Sequence, residues 1–152
     1  MSTAIIYYSQ HHGNTKKLLD AIAAEHEVKL IDIVKEPDAD LDRYDRIGIA
    51  SGIYYGSFSK QIIAFAEKKL PKGKDVFLIA TCGAKPSESM LAKIRHAVSS
   101  RGCRELDRYI CNGFDTFGPF KLVGGIQKGH PTEDEIRGAV SFYDRLDDPK
   151  MR

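Results

Sequence analysis

A run of small polar residues follows the first apolar segment of the chain and leads into a helical pattern. It reads Ser9-Gln10-His11-His12-Gly13-Asn14-Thr15. The first N–H groups of a helix have no partner within the helix, and the helix dipole favours negative charge beside them. Hydroxyl and amide side chains add hydrogen-bond donors, and a glycine lets the backbone come close to a ligand. The pattern therefore predicts a phosphate-binding loop.

Two later segments place glycine and small polar residues where strands are predicted to end. They read Ser51-Gly52-Ile53-Tyr54-Tyr55-Gly56-Ser57-Phe58 and Thr81-Cys82-Gly83-Ala84. In open α/β sheets, ligands bind beyond the carboxyl ends of the strands, where the strand order reverses. A tyrosine ring in such a loop can stack on a planar molecule. Together the three loops predict a site for a phosphorylated, planar ligand.

Alternating strand and helix patterns position these loops. Strands are predicted at residues 4–8, 28–33, 46–51, 76–81 and 106–112, and helices at 15–25, 59–70, 87–101 and 132–146. The first, third and fourth strands are nearly continuous apolar runs, which is typical of parallel strands covered on both faces. The acidic segment 36–44 is predicted to hold at most a short helix. The order predicts a three-layer, doubly wound α/β fold with a five-stranded parallel sheet.

Length and composition indicate an ordinary globular protein. The 152 residues, 42% hydrophobic and 29% charged, suit a single domain over residues 1–152. A net charge of +2 with scattered basic residues predicts no nucleic-acid partner. We identify no secretory signal and no apolar run near the roughly 20 residues that span a bilayer, so we expect a cytoplasmic location without membrane insertion.

Neither cysteines nor histidines show the spacing of a metal site. The three cysteines also lack the pattern of a disulfide framework, which favours a reducing compartment. The adjacent His11 and His12 lack the i, i+4 spacing of a helical ligand pair. We therefore predict that no metal is bound, and that Cys82 is a small packing residue.

Other phosphate-handling classes fail at identifiable positions. The chain has neither Gly-x4-Gly-Lys-Ser/Thr nor Gly-x-Gly-x-x-Gly after a strand, which argues against P-loop and dinucleotide-binding proteins. A low-molecular-weight phosphatase needs arginine six residues after a cysteine, but those positions hold Glu88, Tyr109 and Phe117. A response-regulator receiver needs aspartate at the end of the third strand, where this chain has Ala50-Ser51-Gly52.

Over nearly its whole length the chain resembles the short-chain flavodoxins, which bind FMN and carry electrons. The family's phosphate signature, Ser/Thr-x-Thr-Gly-Asn-Thr, is similar to the segment from Ser9 to Thr15, which is one residue longer and has two histidines where the family usually has one threonine. The family's second loop often reads Ser-x-x-Trp-Gly, and here Ser51 begins the loop and Tyr55-Gly56 resembles its end. The resemblance implies the strand order 2-1-3-4-5 and FMN as cofactor, with either histidine facing the phosphate.

The resemblance also implies a set of cofactor-binding residues from all three loops. The set is Ser9, Gln10, His11, His12, Gly13, Asn14, Thr15, Ser51, Gly52, Ile53, Tyr54, Tyr55, Gly56, Thr81, Cys82, Gly83 and Ala84. In flavodoxins a peptide of the second loop turns over when the flavin takes up one electron, and its carbonyl then accepts a hydrogen bond from flavin N5. We assign this flip to the Gly56–Ser57 peptide, because glycine tolerates positive φ.

The function implied by the resemblance is electron transfer between redox partner proteins, by a monomer or weak dimer. An NAD(P)H-dependent quinone or flavin reductase, or a dehydrogenase working through FMN, is the alternative. A flavin-free interaction module with the same fold is a third hypothesis. The charge of +2 departs from the strongly acidic family, so a different docking surface is expected.

A long segment, residues 113–131, is rich in glycine and phenylalanine and has no clear pattern. It includes Phe114, Phe117 and Phe120. Three phenylalanines in one loop are costly to expose, which leads to the hypothesis that the segment borders the flavin or forms the docking surface. A simple surface excursion is an equally open interpretation.

Overall fold

A computed structural model describes residues 1–9, 13–113 and 129–147. The strands are β1 (Thr3–Tyr8), β2 (Lys29–Asp32), β3 (Arg46–Tyr54), β4 (Ser57–Phe58), β5 (Asp75–Cys82) and β6 (Arg104–Asn112). The helices are α1 (Asn14–Glu25), α2 (Lys60–Lys69), α3 (Ala92–Ser100), which a 3-10 turn at Glu88–Leu91 precedes, and α4 (Glu133–Arg145). Each predicted strand and helix is therefore confirmed, with shifted boundaries.

The sheet has the order β2-β1-β3-β5-β6, and β4 pairs with β3 from outside this path. The five main strands are parallel, and β4 is antiparallel to β3. Without β4, the order is the predicted 2-1-3-4-5. The chain reverses its direction of winding between β1 and β3, so the carboxyl ends of these strands flank the crevice in which such sheets bind ligands.

Two helices cover each face of the sheet. Ile5 and Tyr7 of β1 belong to the same apolar cluster as α1 and α4 residues, whereas Ala4 and Ile6 belong to the cluster that contains α2 and α3 residues. Alternate residues of a strand point to opposite faces, so β1 contributes to both cores. This double burial is the physical origin of the nearly continuous apolar runs.

Helix ends follow the capping rules that the sequence indicated. Ser59 accepts the N–H of Ile62 at the start of α2, and Thr132 forms a capping box with Glu135 at the start of α4. Gly102 follows α3 with a φ of 66°, the left-handed conformation common after a helix. Between β2 and β3 the chain forms turns without a helix, in agreement with the prediction for segment 36–44.

The predicted loop at residues 51–58 is instead a β-hairpin. Strand β3 extends to Tyr54, which pairs with Ser57, while Ile53 pairs with Phe58. The two turn residues, Tyr55 and Gly56, have φ values of 49° and 76°, as a type I′ turn requires. Phe58 of the hairpin is 1% exposed and belongs to the core on the α2 and α3 face of the sheet, so burial of its ring stabilises the hairpin.

Several predictions fall on residues that the structure does not describe. Those for Gln10, His11 and His12 lie outside the described residues, as do those for Phe114, Phe117 and Phe120. Among the helices that are described, none combines the length and the apolar character needed to cross a membrane.

Candidate functional site

The first predicted loop ends at the N-terminus of α1. Gly13 is the residue before the helix, with a φ of 64°, and it supplies no capping side chain. This left-handed conformation favours glycine over residues with a Cβ. Asn14 and Thr15 follow in the first turn and are 7% and 1% exposed. The first N–H groups of α1 are therefore bonded by no side chain of the N-cap residue, which is the arrangement of anion sites at helix N-termini.

Ser9 adds a polar atom at the same edge of the sheet. It follows β1, and its Oγ is buried without a hydrogen-bond partner among the described residues. Leaving a buried hydroxyl unpaired costs about 1–3 kcal/mol. A phosphate oxygen at this place would accept a hydrogen bond from the Ser9 hydroxyl, so the residue fits the predicted ligand.

Thr15 and Thr81 join the first loop to the third. Their Oγ1 atoms lie 3.0 Å apart, and both residues are buried. Thr15 belongs to α1 and Thr81 stands next to the end of β5. The hydrogen bond therefore fixes the start of α1 relative to the end of β5 across a distance of 66 residues in sequence.

Asn112, which was not predicted, braces the third loop from the end of β6. Its Nδ2 donates to the carbonyl oxygens of Cys82, at 3.1 Å, and Ala84, at 2.8 Å. The Gly113 N–H also donates to the Cys82 oxygen, at 3.0 Å. These bonds engage carbonyl groups of the loop rather than its N–H groups. The only feature of the sequence that could have indicated this role is that Asn112 is a polar residue at the end of the fifth predicted strand.

Gly113 also allows the first loop to pack against β6. A Cβ at this position would lie 2.6–2.9 Å from the Asn14 side chain, closer than real contacts allow. An alanine at position 113 would therefore displace the Asn14 side chain, although the φ of Gly113 is not in the left-handed region that favours glycine. Through this contact the residue that follows β6 positions the Asn14 side chain.

The two tyrosines of the hairpin have different environments. The Tyr54 ring meets the Tyr8 ring edge to face, with centroids 6.1 Å apart, and its hydroxyl lies over Gly52. Tyr55, at the tip of the hairpin, is 83% exposed. Tyr54 is half-buried and Tyr55 is exposed, so Tyr55 offers the more accessible ring of the pair to a stacking ligand.

Other predicted site residues serve the loops themselves. The Ser51 hydroxyl donates to the Gly52 oxygen at 2.6 Å and accepts the Ser59 N–H at 3.0 Å, so it ties the hairpin to the start of α2. Ile53 packs against the core, and Gly83 is buried. These contacts hold the backbone of the second and third loops in place.

Cys82 is 3% exposed, and its thiol donates to the Ala84 oxygen at 3.2 Å. The thiol therefore closes the third loop on itself, as expected of a packing residue. Burial raises the pKa of the neighbouring Cys111 thiol to about 12, which keeps that thiol protonated.

Within the part of the chain that the structure describes, no three His, Cys, Asp or Glu side chains gather to hold a metal ion.

Sequence and structure comparisons agree on one family. Residues 5–111 match the flavodoxin domain family. A protein of Methanocaldococcus jannaschii, described as uncharacterized, is 38% identical over 143 residues, which cover 93% of this chain and 95% of the relative.

Solved structures share the fold at low sequence identity. Oxidised flavodoxin 1 from Bacillus cereus superposes with a TM-score of 0.69 at 16% identity, covering 95% of this chain and 97% of its own. A structure of an NADH:FMN oxidoreductase in its apo form superposes with a TM-score of 0.61 at 17% identity, covering 99% of this chain and 93% of its own. At these identities the similarity establishes the architecture alone.

Proposed function

Because this chain belongs to the flavodoxin family, we propose that it binds FMN and carries electrons between redox proteins. The observation that carries the proposal is the pairing of the N-terminus of α1, where Gly13 supplies no capping side chain, with the buried Ser9 hydroxyl, which has no hydrogen-bond partner among the described residues. Both are donors at the carboxyl edge of β1, and a phosphate group accepts hydrogen bonds from donors of each kind.

The phosphate would be held by backbone N–H groups of α1, by Ser9 and by Thr15. Either Oγ1 of the Thr15–Thr81 pair can donate to the other. If Thr81 donates, the Thr15 proton is left for a phosphate oxygen. Thr81 would then orient the Thr15 hydroxyl in addition to bracing the helix.

The planar part of the ligand would lie between the hairpin and the third loop. Tyr55 offers an exposed ring for stacking, while Asn112 holds the loop that ends at Ala84. When bound, FMN supplies the electron chemistry, and the chain supplies binding and orientation. Gly56, with its φ of 76°, has the conformational freedom that a flip of the Gly56–Ser57 peptide needs.

A reductase that uses NAD(P)H or a quinone is the second candidate. It is favoured by the similarity to a structure described as an NADH:FMN oxidoreductase and by a cavity of about 380 Å³ beside Tyr54 and Tyr55, which has space for another small molecule. Such an enzyme would turn over repeatedly with a small-molecule donor, whereas a carrier needs protein partners.

Stepwise chemical reduction of the FMN-loaded protein separates the two candidates. A carrier is expected to accept electrons in two resolved one-electron steps and to oxidise NADPH slowly. Bleaching in a single two-electron step, with fast multi-turnover quinone reduction, would favour the reductase and contradict the carrier.

A further inference from the structure

We propose that the chain has a second ligand pocket, which takes a small planar aromatic anion. The cavity, called the hairpin pocket below, has a volume of about 380 Å³, within the range of roughly 300–1,000 Å³ typical of small-molecule sites. It is lined by Tyr8, Tyr54, Tyr55, Ser57, Phe58, Ser59, Lys60, Gln61, Ile63 and Lys93. The proposal does not require that FMN be bound.

The lining separates the hairpin pocket from the proposed phosphate site. It includes neither Ser9, nor Gly13 to Thr15, nor any residue from Thr81 to Ala84. Tyr8 and Phe58 belong to the core on the α2 and α3 face of the sheet, whereas α1 lies on the opposite face. The pocket thus shares Tyr55 with the proposed flavin site, while Tyr8 and Phe58 place it on the α2 and α3 face of the sheet.

Aromatic and aliphatic side chains form the walls of the pocket. The rings of Tyr8 and Tyr54 meet edge to face. Phe58, which is buried, and Ile63 of α2 also line the pocket. Aromatic side chains prefer offset-stacked or edge-to-face partners. A flat aromatic molecule therefore matches these walls better than a branched aliphatic one.

The lining of the hairpin pocket carries positive charge. Lys60, the first residue of α2, and Lys93 of α3 both line it, and neither forms an ion pair with a described residue. The first turn of α2 contains no acidic residue. A cation at a helix N-terminus opposes the helix dipole, so Lys60 increases a positive potential that an anion in the pocket would relieve.

An unpaired polar atom in the wall independently favours a ligand that can form a hydrogen bond. The Oγ of Ser57, which lines the hairpin pocket, is buried without a hydrogen-bond partner among the described residues. Buried hydroxyl groups are normally paired. A ligand with oxygen acceptors, bound directly or through one water, would satisfy this group.

The occupant that uses all these features is an aromatic ring system with one acidic group. A neutral aromatic molecule would leave Lys60 and Lys93 unpaired, and inorganic phosphate would leave the aromatic walls empty. The net charge of +2 is too small to attract anions to the whole surface, so selectivity would come from the pocket itself.

Isothermal titration of 2-naphthoate tests the hairpin pocket, with 2-naphthamide as the neutral analogue of the same shape. We expect saturable 1:1 binding of 2-naphthoate to the FMN-free protein and to the FMN-saturated protein. The neutral analogue should bind about tenfold more weakly. Amide chemical shifts of Tyr54, Phe58 and Ile63 should move on binding.

Lysine variants test whether Lys60 and Lys93 cause the preference for the anion over the neutral analogue. Lys60→Gln and Lys93→Gln are each expected to weaken 2-naphthoate about fivefold and to leave 2-naphthamide unchanged. Lys68→Gln is the control, because Lys68 lies on α2 outside the pocket lining. No saturable binding, displacement of 2-naphthoate by FMN, or equal effects of the three variants would overturn the proposal. Because the FMN-free protein is tested as well, a failure to bind FMN leaves this test intact.

Discussion

The Thr15 hydroxyl lies 3.0 Å from the Thr81 hydroxyl, and this contact joins the first turn of α1 to β5. Replacing Thr81 by valine keeps the shape and leaves the buried Thr15 hydroxyl without this partner. We expect a loss of about 1–2 kcal/mol in the free energy of unfolding. We also expect weaker FMN binding, because the Thr15 hydroxyl loses its orientation. Urea unfolding and FMN titration measure the two effects.

The double variant provides the control for this pair. Thr15→Val with Thr81→Val removes both hydroxyl groups and leaves neither unpaired. Its stability loss should therefore be clearly smaller than the sum of the two single losses. Additive losses would mean that the two hydroxyl groups do not interact in solution.

Gly113→Ala should weaken FMN binding and have little effect on the free energy of unfolding. The added methyl group would lie within 2.9 Å of the Asn14 side chain, which must then leave its position at the start of α1. Asn14 is one of the residues predicted to bind the cofactor. If its side chain donates to the phosphate, displacing it removes one charge-assisted hydrogen bond, which corresponds to about tenfold in Kd and is measurable by quenching of FMN fluorescence.

Gly48→Ala is a matched control for this variant. Its Cβ would lie 2.4 Å from the Phe77 ring, in the core and away from the three loops. It should lower the free energy of unfolding and leave the FMN affinity of the folded protein unchanged. If Gly113→Ala behaves in the same way, the contact with Asn14 has no role in binding.

Glu135 makes the stability of the protein depend on pH. Burial alone would raise its pKa, but hydrogen bonds from the Thr132 N–H, from His130 and from the Asn112 N–H together lower the pKa below its ordinary value of 4.5. A lowered pKa in the folded state stabilises the protein above pH 4.5, and this stabilisation is lost as the pH falls through the folded-state pKa.

Glu135→Gln removes this titration. At pH 7 the variant should be about 1 kcal/mol less stable, and the difference from the wild type should shrink as the pH falls below 4.5. Thermal unfolding of both proteins at a series of pH values measures this difference in stability. A difference that stays constant with pH would show that the carboxylate charge contributes nothing.

Arg46 anchors the C-terminal end of α4 beneath the sheet. It is 3% exposed, donates to Asp147 at 2.7 Å and to the Tyr143 hydroxyl at 3.1 Å, and its guanidinium lies 5.0 Å from the centre of the Tyr143 ring. Arg46→Ala leaves a cavity and removes these contacts. We expect a loss of about 3 kcal/mol in the free energy of unfolding.

Arg43 provides the comparison, since it stacks on Tyr44 at 5.0 Å and donates to the Tyr44 hydroxyl at 2.9 Å, but is exposed. Arg43→Ala should therefore cost much less stability than Arg46→Ala. Equal losses would show that burial of Arg46 is not what makes its contacts stabilising.

The fold was predictable because its strands carry an unambiguous pattern. β1, β3 and β5 are buried on both faces, so their apolar runs identify a parallel sheet. The hairpin was missed because Tyr55 has a φ of 49°, a conformation usually signalled by asparagine or glycine. Nothing local in the sequence marks a tyrosine for that position.

For the candidate site, the sequence predicts the loops but not the contacts within them. Glycine and small polar residues at strand ends indicate where a ligand binds, but not which side chains face it. Ser51 stays a predicted cofactor-binding residue, and its hydroxyl is hydrogen-bonded to Gly52 and Ser59. Asn112 was missed because its role depends on a contact with Ala84, 28 residues away in sequence, and single-sequence patterns do not report such pairings.

Titration of the purified FMN-free protein with FMN, followed by flavin absorbance and fluorescence, tests the central claim most directly. Riboflavin, which lacks the phosphate, and Ser9→Ala are the comparisons. We predict saturable 1:1 uptake of FMN, much weaker binding of riboflavin, and about tenfold weaker FMN binding by Ser9→Ala. No uptake of FMN, or equal affinity for FMN and riboflavin, would contradict the account of the α1 N-terminus as a phosphate site.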